Sequence, residues 1–489
     1  MADPAGTRGV TRTASRRRLL MAAGPAAAGV AAVLTDPAPA SAATTSTSAG
    51  YLAAPDLGIT PGNDAALNRA NLVAALADST RRVTFPPGDY RLDNAPGDAT
   101  DQRGGIRIAG FAGELDFQPG ARVVFTDNTR RGLVFAGGAG ARIHGLTSVF
   151  AARPTVRQNA RECLSFDTTS DTYLADVRID GSAAAGVLFW QCVRPTVVDA
   201  VITGTMADGL NFSNCQDGRA DRITTVDTGD DGVAFGNYAS GPAYTGGLGT
   251  NLSVTNSRSR GIAVWGQSGV TIRDAVVDTT VGHGVYCAYE SSWGTRVPNE
   301  VTFERIRVRR GGWWTVAAGG GTNSGLRITD AGRVRVSDVA VDEPGANGVS
   351  VSGQGVVAVL LDARVGNATG SGFLLQRSTC HLDRVTADGT DGIGLNVVDC
   401  PRLEYGSVTL RNTARTHPTH RAVQVQNTQT SAAYVIGERL WIHDEQSTAT
   451  GYVVTATGSL RGTFGTVVDL VSSRDVVLES VTGFGSSRL

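Results

Sequence analysis

Three aspartates stand in one register of this chain. Asp208-Gly209-Leu210-Asn211-Phe212 is answered further on by Asp231-Gly232-Val233-Ala234-Phe235, with Asp230 directly before the second set. Carboxylates held a few Å apart raise one another's pKa, so one can keep a proton near neutrality while another stays ionised. A protonated acid for a leaving oxygen, with a carboxylate as base or nucleophile, is the pairing that cleavage of a glycosidic bond requires. Two blander readings compete. Asp and Asn before Gly are ordinary turn residues, as at Asn347-Gly348 and Asp391-Gly392. A carboxylate cluster can also hold calcium. The elements that carry the three residues decide between these readings.

From about Gly105 a repeat governs the chain. A small residue, mostly Gly, precedes apolar–x–apolar at positions 105, 132, 163, 186, 209, 232, 261, 284, 325, 348, 372 and 392, with weaker copies at 422 and 451. The commonest interval is the one from 163 to 186, repeated from 186 to 209, from 209 to 232, from 261 to 284 and from 325 to 348. A second alternating run, such as Val270–Val277, lies between copies. Short alternating strands punctuated by Gly, Asp and Asn, at a period in the low twenties, predict an all-β, right-handed parallel β-helix of about 12 or more coils. A propeller needs ~40–45 residues per blade, and the Leu/Asn consensus of leucine-rich repeats is absent. Ahead of the repeat, Asn63-Asp64 offers a helix N-cap. Ala66, Ala70, Val73, Ala74 and Ala77 then fall on one helical face. A short helix capping the open end of the solenoid fits this stretch.

In a β-helix, equivalent positions stack in columns one strand spacing apart, ~4.7–4.9 Å. The residue before each small residue reads Glu162, Ala185, Asp208, Asp231, Arg260, His283, Ser324, Asn347, Ser371, Asp391. Asp208 and Asp231 become neighbours, with Asp230 beside them and Arg260 and His283 continuing the column. The outward strand positions read Asn211, Ala234, Ala263 and Tyr286, and the two alanines predict room for a sugar ring. Intervals lengthen after Gly232 and after Gly284, and such insertions form loops on the side of a solenoid. Trp190, Trp265, Tyr286, Trp293, Trp313 and Trp314 are candidates for stacking on sugar faces. The candidate set is therefore Asp208, Asp230 and Asp231 as catalytic residues, and Arg260, His283, Trp265, Tyr286, Asn211 and Trp293 as substrate contacts, with no metal ligand assigned.

At these residues the chain resembles glycoside hydrolase family 87, the mycodextranases and α-1,3-glucanases, which carry an Asp on one coil and an Asp-Asp pair on the next. It is more distantly similar to family 28 polygalacturonases. The likeness covers about Gly50 to Gly320 loosely and Gly204 to Gly284 well. A polygalacturonase would place its His where Arg260 stands. Here Gly282-His283-Gly284 comes one coil later, and Arg305-Ile306-Arg307 only echoes the expected Arg-Ile-Lys. The resemblance implies hydrolysis of a neutral glycan, an α-glucan, with Asp230 as general acid, Asp208 and Asp231 positioning and deprotonating water, and inversion. It implies no organic cofactor, with calcium as the second reading. A polysaccharide lyase, a transglycosylase and a non-enzymatic glycan-binding protein are the rival functions on this fold.

Residues 1–42 read as a twin-arginine signal: Ser15-Arg16-Arg17-Arg18-Leu19-Leu20, an Ala/Gly/Val-rich run short for a membrane span, and Ala40-Ser41-Ala42. Residues 43–50 read as a linker and 51–489 as one catalytic domain, exported and extracytoplasmic. The net charge of −1 gives no basic bias towards nucleic acid. Six cysteines form no zinc pattern. Cys192/Cys215 and Cys380/Cys400, each about one repeat apart, are disulfide candidates, with buried free thiols as the alternative.

Overall fold

The structure is a computed structural model that describes residues 50–95, 104–313, 323–415, 421–443, 454–469, 476–479 and 484–488. The expected signal, most of the linker and Trp314 lie outside these residues.

Each coil contributes a four- or five-residue strand to one parallel sheet and, to a second, either one longer strand or two short ones such as Val357–Leu361 and Arg364–Gly366. Fifteen described strands stack in the first sheet, from Ile106–Ala109 to Val476–Glu479. Its register follows the repeat: Leu164 pairs with Val187, Val187 with Leu210, Leu210 with Val233, and Val233 with Ile262. This is the expected parallel β-solenoid. Inward positions form ladders on the axis. Phe135, Phe166, Phe189, Phe212 and Phe235 stack at ring separations of 5.1, 4.8, 5.2 and 4.9 Å, filling the tube with buried aromatic area.

The long strands bend at one residue per coil in the left-handed region: Asp176, Asp199, Arg222, Asn251, Asp274 and Arg305. Asp and Asn tolerate that conformation better than most residues. At Arg222 and Arg305 the strain is accompanied by ion pairs to the coil below, to Asp199 and Asp274 at 2.6 Å each.

The N-terminal helix is Ala65–Leu76, capped by Asp64, whose Oδ1 accepts the Leu67 N–H at 2.7 Å. The buried face is not the alanine stripe. Asn68, Leu72, Ala75 and Leu76 face inward, while Ala66, Ala70, Val73, Ala74 and Ala77 are exposed. Asn68 is a core residue because its amide satisfies Thr60 and the Arg91 carbonyl, and alanines have little surface to bury against the coil.

Three further expectations are corrected. The repeat copies at 392 and 451 are two residues out, while the copy at 422 is in register: Leu395 pairs with Phe373, Val423 with Leu395, and Val454 with Val423. Ile393, not Asp391, therefore continues the column. All six cysteines are buried free thiols. Stacked side chains on parallel strands keep their Cβ atoms near the strand spacing, longer than the ~3.8 Å a disulfide needs. Cys380 moreover pairs in register with Leu403, not Cys400.

Candidate active site

The column order holds through the site. The Gly209 N–H donates to Asp231 O, Gly232 to Arg260 O, Gly261 to His283 O and Gly284 to Ser324 O. Each carbonyl of the column thus receives the small residue of the coil before it. Those small residues are required: a Cβ at Gly209 would lie 2.6 Å from both the Gly232 carbonyl and Thr225.

This packing brings one oxygen from each of Asp208, Asp230 and Asp231 within 4.8 Å of one another. Asp208 Oδ1 accepts the Asp231 N–H at 3.0 Å, and its Oδ2 accepts Asn211 Nδ2 at 2.5 Å. Burial and the neighbouring Asp230 charge nevertheless push its pKa up to about 6. Asp231 is nearly fully buried. Its Oδ1 accepts the Arg260 N–H at 3.1 Å and lies 3.0 Å from Arg260 Nε. Burial pushes its pKa well up against the pull of Arg260, and Asp208 and Asp230 add to the rise. Asp230 is the rim carboxylate. Its Oδ2 accepts Arg157 Nη1 at 2.7 Å.

Asn211 is fixed between Asp208 and Ser213, whose hydroxyl donates to Asn211 Oδ1 at 2.8 Å. Arg260 Nη2 donates to Glu290 Oε1 at 3.1 Å, and the guanidinium lies 4.8 Å over the Tyr286 ring. His283 stacks flat on Tyr286 at 5.3 Å, and its Nδ1 accepts the Ser324 N–H at 2.8 Å. Burial, then Arg327 and Arg260, lowers its pKa to about 3. His283 is thus a neutral ring with Nε2 as its donor.

A cleft of about 490 Å³ opens beside Asp208. Its lining includes Ala185, Leu188, Ala207, Asn211 and Ser213, with Trp190 and Tyr238 as aromatic members and Arg157, Asn159 and Glu162 beyond them. The two outward alanines do not leave the expected room. Ala234 and Ala263 are fully buried with Trp265, and Tyr238 and Tyr286 pack against them. Trp265 is 5% exposed and lies over Gly236, where an added Cβ would fall inside its ring. It is packing beneath the wall, not an open stacking face. Trp293, in the short turn Ser291–Trp293, is 69% exposed and does not line the cleft.

Arg157, Tyr238 and Glu290 belong to the site and were not assigned to it from sequence. Arg157 reaches Asp230 from 73 residues away. Its loop fills the interval between Leu133 and Leu164, which pair in register. That interval is longer than the next one, from Leu164 to Val187, and so is an insertion by the same test that marked the other two.

A right-handed β-helix family model matches residues 185–362. No curated protein sequence matches the chain. Among solved structures, the catalytic domain of a GH87 α-1,3-glucanase D-to-A variant in complex with tetrasaccharides aligns at TM-score 0.57 and 14% identity, over 72% of this chain and 66% of that one. The same kind of domain in complex with nigerose aligns at TM-score 0.53 and 13% identity, over 77% and 66%. The chain thus has the right-handed β-helix fold of the GH87 catalytic domains and spans just under two thirds of their length. Among the described residues no helix is long and apolar enough to cross a membrane.

Proposed function

We propose that the protein is a glycoside hydrolase acting on a neutral polysaccharide, an α-glucan, through Asp208, Asp230 and Asp231. The observation that carries this reading is the triad itself: three carboxylates with oxygens inside 4.8 Å, one of them held near pKa 6 at the edge of an aromatic-lined cleft. The solved GH87 variants support it. Three of them each lack one aspartate, and two of those aspartates are adjacent in sequence.

The division of labour that suits the geometry differs from the one expected from the motif. Asp208 lines the cleft and holds its proton to about pH 6, which fits a general acid. Asp230, on the rim and ion-paired to Arg157, fits the carboxylate that activates water. Asp231, buried beneath both, holds them in place. The carboxylates are closer than the ~6.5–9.5 Å of the usual inverting pair. Inversion therefore needs the water held at the rim by Asp230, while the spacing by itself favours retention.

Three arginines of the site are engaged internally: Arg157 with Asp230, Arg260 with Asp231 and Glu290, Arg131 with Glu162; Arg327, in register with Tyr286, is a fourth cation on this face. The engagement of the first three supports a neutral sugar over an acidic one, and hydrolysis over a lyase reaction. The carboxylate oxygens already accept backbone, amide and guanidinium donors, a set that fits a calcium ion poorly. Export by the twin-arginine signal belongs to the same proposal.

The test is to screen the purified chain against α- and β-glucans and to follow the anomeric configuration of the first product by NMR. Asp208→Asn, Asp230→Asn and Asp231→Asn are each expected to abolish cleavage. Full activity in all three would overturn the assignment.

A further inference from the structure

We propose that Glu290 is a positioning residue for the carboxylate triad, holding the Arg260 guanidinium shared between itself and Asp231. The inference rests on the reading of the triad as the reacting centre. Two insertions, separated by more than a full coil, dock on each other to bring Glu290 there.

The docking is explicit. Tyr238, on the loop after Val233–Gly236, forms an antiparallel bridge with Thr295, on the loop after Val285–Ala288. The Ala239 N–H donates to Gly294 O at 2.8 Å, and the Arg296 N–H donates to Asn237 O at 2.9 Å. Arg296 fastens the pair: Nε donates to Asn237 Oδ1 at 3.1 Å, and Nη2 to the Ala239 and Gly241 carbonyls at 3.1 and 2.9 Å. The Glu290 N–H is fixed by Thr295 Oγ1 at 2.8 Å. The two loops are one wall, and its inner edge presents Tyr238 to the cleft and Glu290 to Arg260.

Arg260 is then held from four sides, one of them Ser259, whose Oγ accepts Nη1 at 3.4 Å. Glu290 takes Nη2, the Tyr286 ring supports the guanidinium plane, and Asp231 Oδ1 lies 3.0 Å from Nε. That last contact is an ion pair without an aligned hydrogen bond, since Arg260 Nε is buried and makes none. A guanidinium free of Glu290 can turn its fork onto Asp231 and pair bidentately, the stronger geometry. Glu290 therefore keeps Arg260 from neutralising Asp231 completely. The other groups facing Asp231 are Asp208 and Asp230. Those facing Arg260 also include Asp230 and Tyr286. Glu290 is the anion in this set that lies outside the triad; it also faces Tyr286 and Tyr238, and its removal acts on the triad chiefly through Arg260, the cation it shares with Asp231.

The experiment compares wild type with Glu290→Gln and Glu290→Asp on the glycan cleaved by the wild type, across pH 4 to 9. In Glu290→Gln, kcat is expected to fall about tenfold with KM within about twofold, the signature of a lost transition-state effect. Full pairing with Arg260 favours ionised Asp231, and that charge beside Asp208 raises the pKa of the general acid, so the alkaline limb of the profile is expected to move to higher pH. Glu290→Asp is expected to lie between the two. A folded Glu290→Gln with the wild-type profile, or with a loss of rate that leaves the limb in place, would overturn the proposal. Arg296→Gln loosens the wall without touching Arg260 and is expected to move the limb in the same direction by less; no movement would also count against it. A second readout needs no activity. The Asp231 carboxyl resonance, in protein labelled with 13C-aspartate and assigned by its loss in Asp231→Asn, is expected to titrate at lower pH in Glu290→Gln. If that midpoint moves while the wild type cleaves no glycan, the positioning stands and the hydrolase reading falls. If cleavage is present and the midpoint does not move, the reverse holds.

Discussion

Replacing Asp208 by Asn should stabilise the fold while abolishing activity, and the gain should depend on pH. The Asp208 pKa is raised from the ordinary 3.8 to about 6, first by burial and then by the Asp230 charge. The folded state therefore binds this proton more tightly than the unfolded chain does. The stabilisation is complete below pH ~3.8 and is lost as pH rises through about 6. At ~1.4 kcal/mol per pH unit, ionised Asp208 costs the native state up to ~3 kcal/mol at pH 7. Asparagine keeps the shape and the acceptor for the Asp231 N–H without the charge. It also faces the Asn211 amide that now donates to Asp208 Oδ2, which costs ~1 kcal/mol unless that amide turns. The expected net gain is ~1–3 kcal/mol at pH 7 and near zero at about pH 3.5. The assay is urea unfolding of both proteins at the two pH values, with glycan cleavage measured alongside. Loss of a general acid predicts a fall in kcat of ~10²–10⁴. A variant no more stable than wild type at pH 7, or one with the same difference at both pH values, would refute the account of Asp208 as a half-buried carboxyl whose charge the folded state disfavours.

Phe212→Ala removes a ring stacked on both sides by Phe189 and Phe235, and should cost ~3–5 kcal/mol in chemical unfolding. Gly236→Ala places a methyl where the Trp265 ring lies; the indole must move and the wall carrying Tyr238 with it, so kcat/KM should fall more than melting temperature does. Activity should be unchanged by chelator, measured after dialysis against EDTA; loss restored by Ca²⁺ would return the carboxylates to a metal role. The six buried thiols should be inert to a thiol reagent in the native protein and react fully after denaturation.

What the sequence determined by itself follows from one physical fact. In a parallel solenoid, residues one period apart become neighbours one strand spacing apart. The single period between Asp208 and Asp231 was therefore a distance in disguise, and Arg260 and His283 could be placed above them without coordinates. Asp64 as helix cap was legible for a similar reason, because a capping bond is local in sequence. Whatever depended on how loops fold back was settled only by the tertiary structure. Arg157 meets Asp230 across three coils, and Tyr238 meets Thr295 because two insertions dock. No periodicity relates those positions. Burial of Trp265 over Gly236, which closes the space above Ala234 and Ala263, is likewise a packing outcome. The period placed the carboxylates; the loops decided which of them meets solvent, which meets a cation and which keeps its proton.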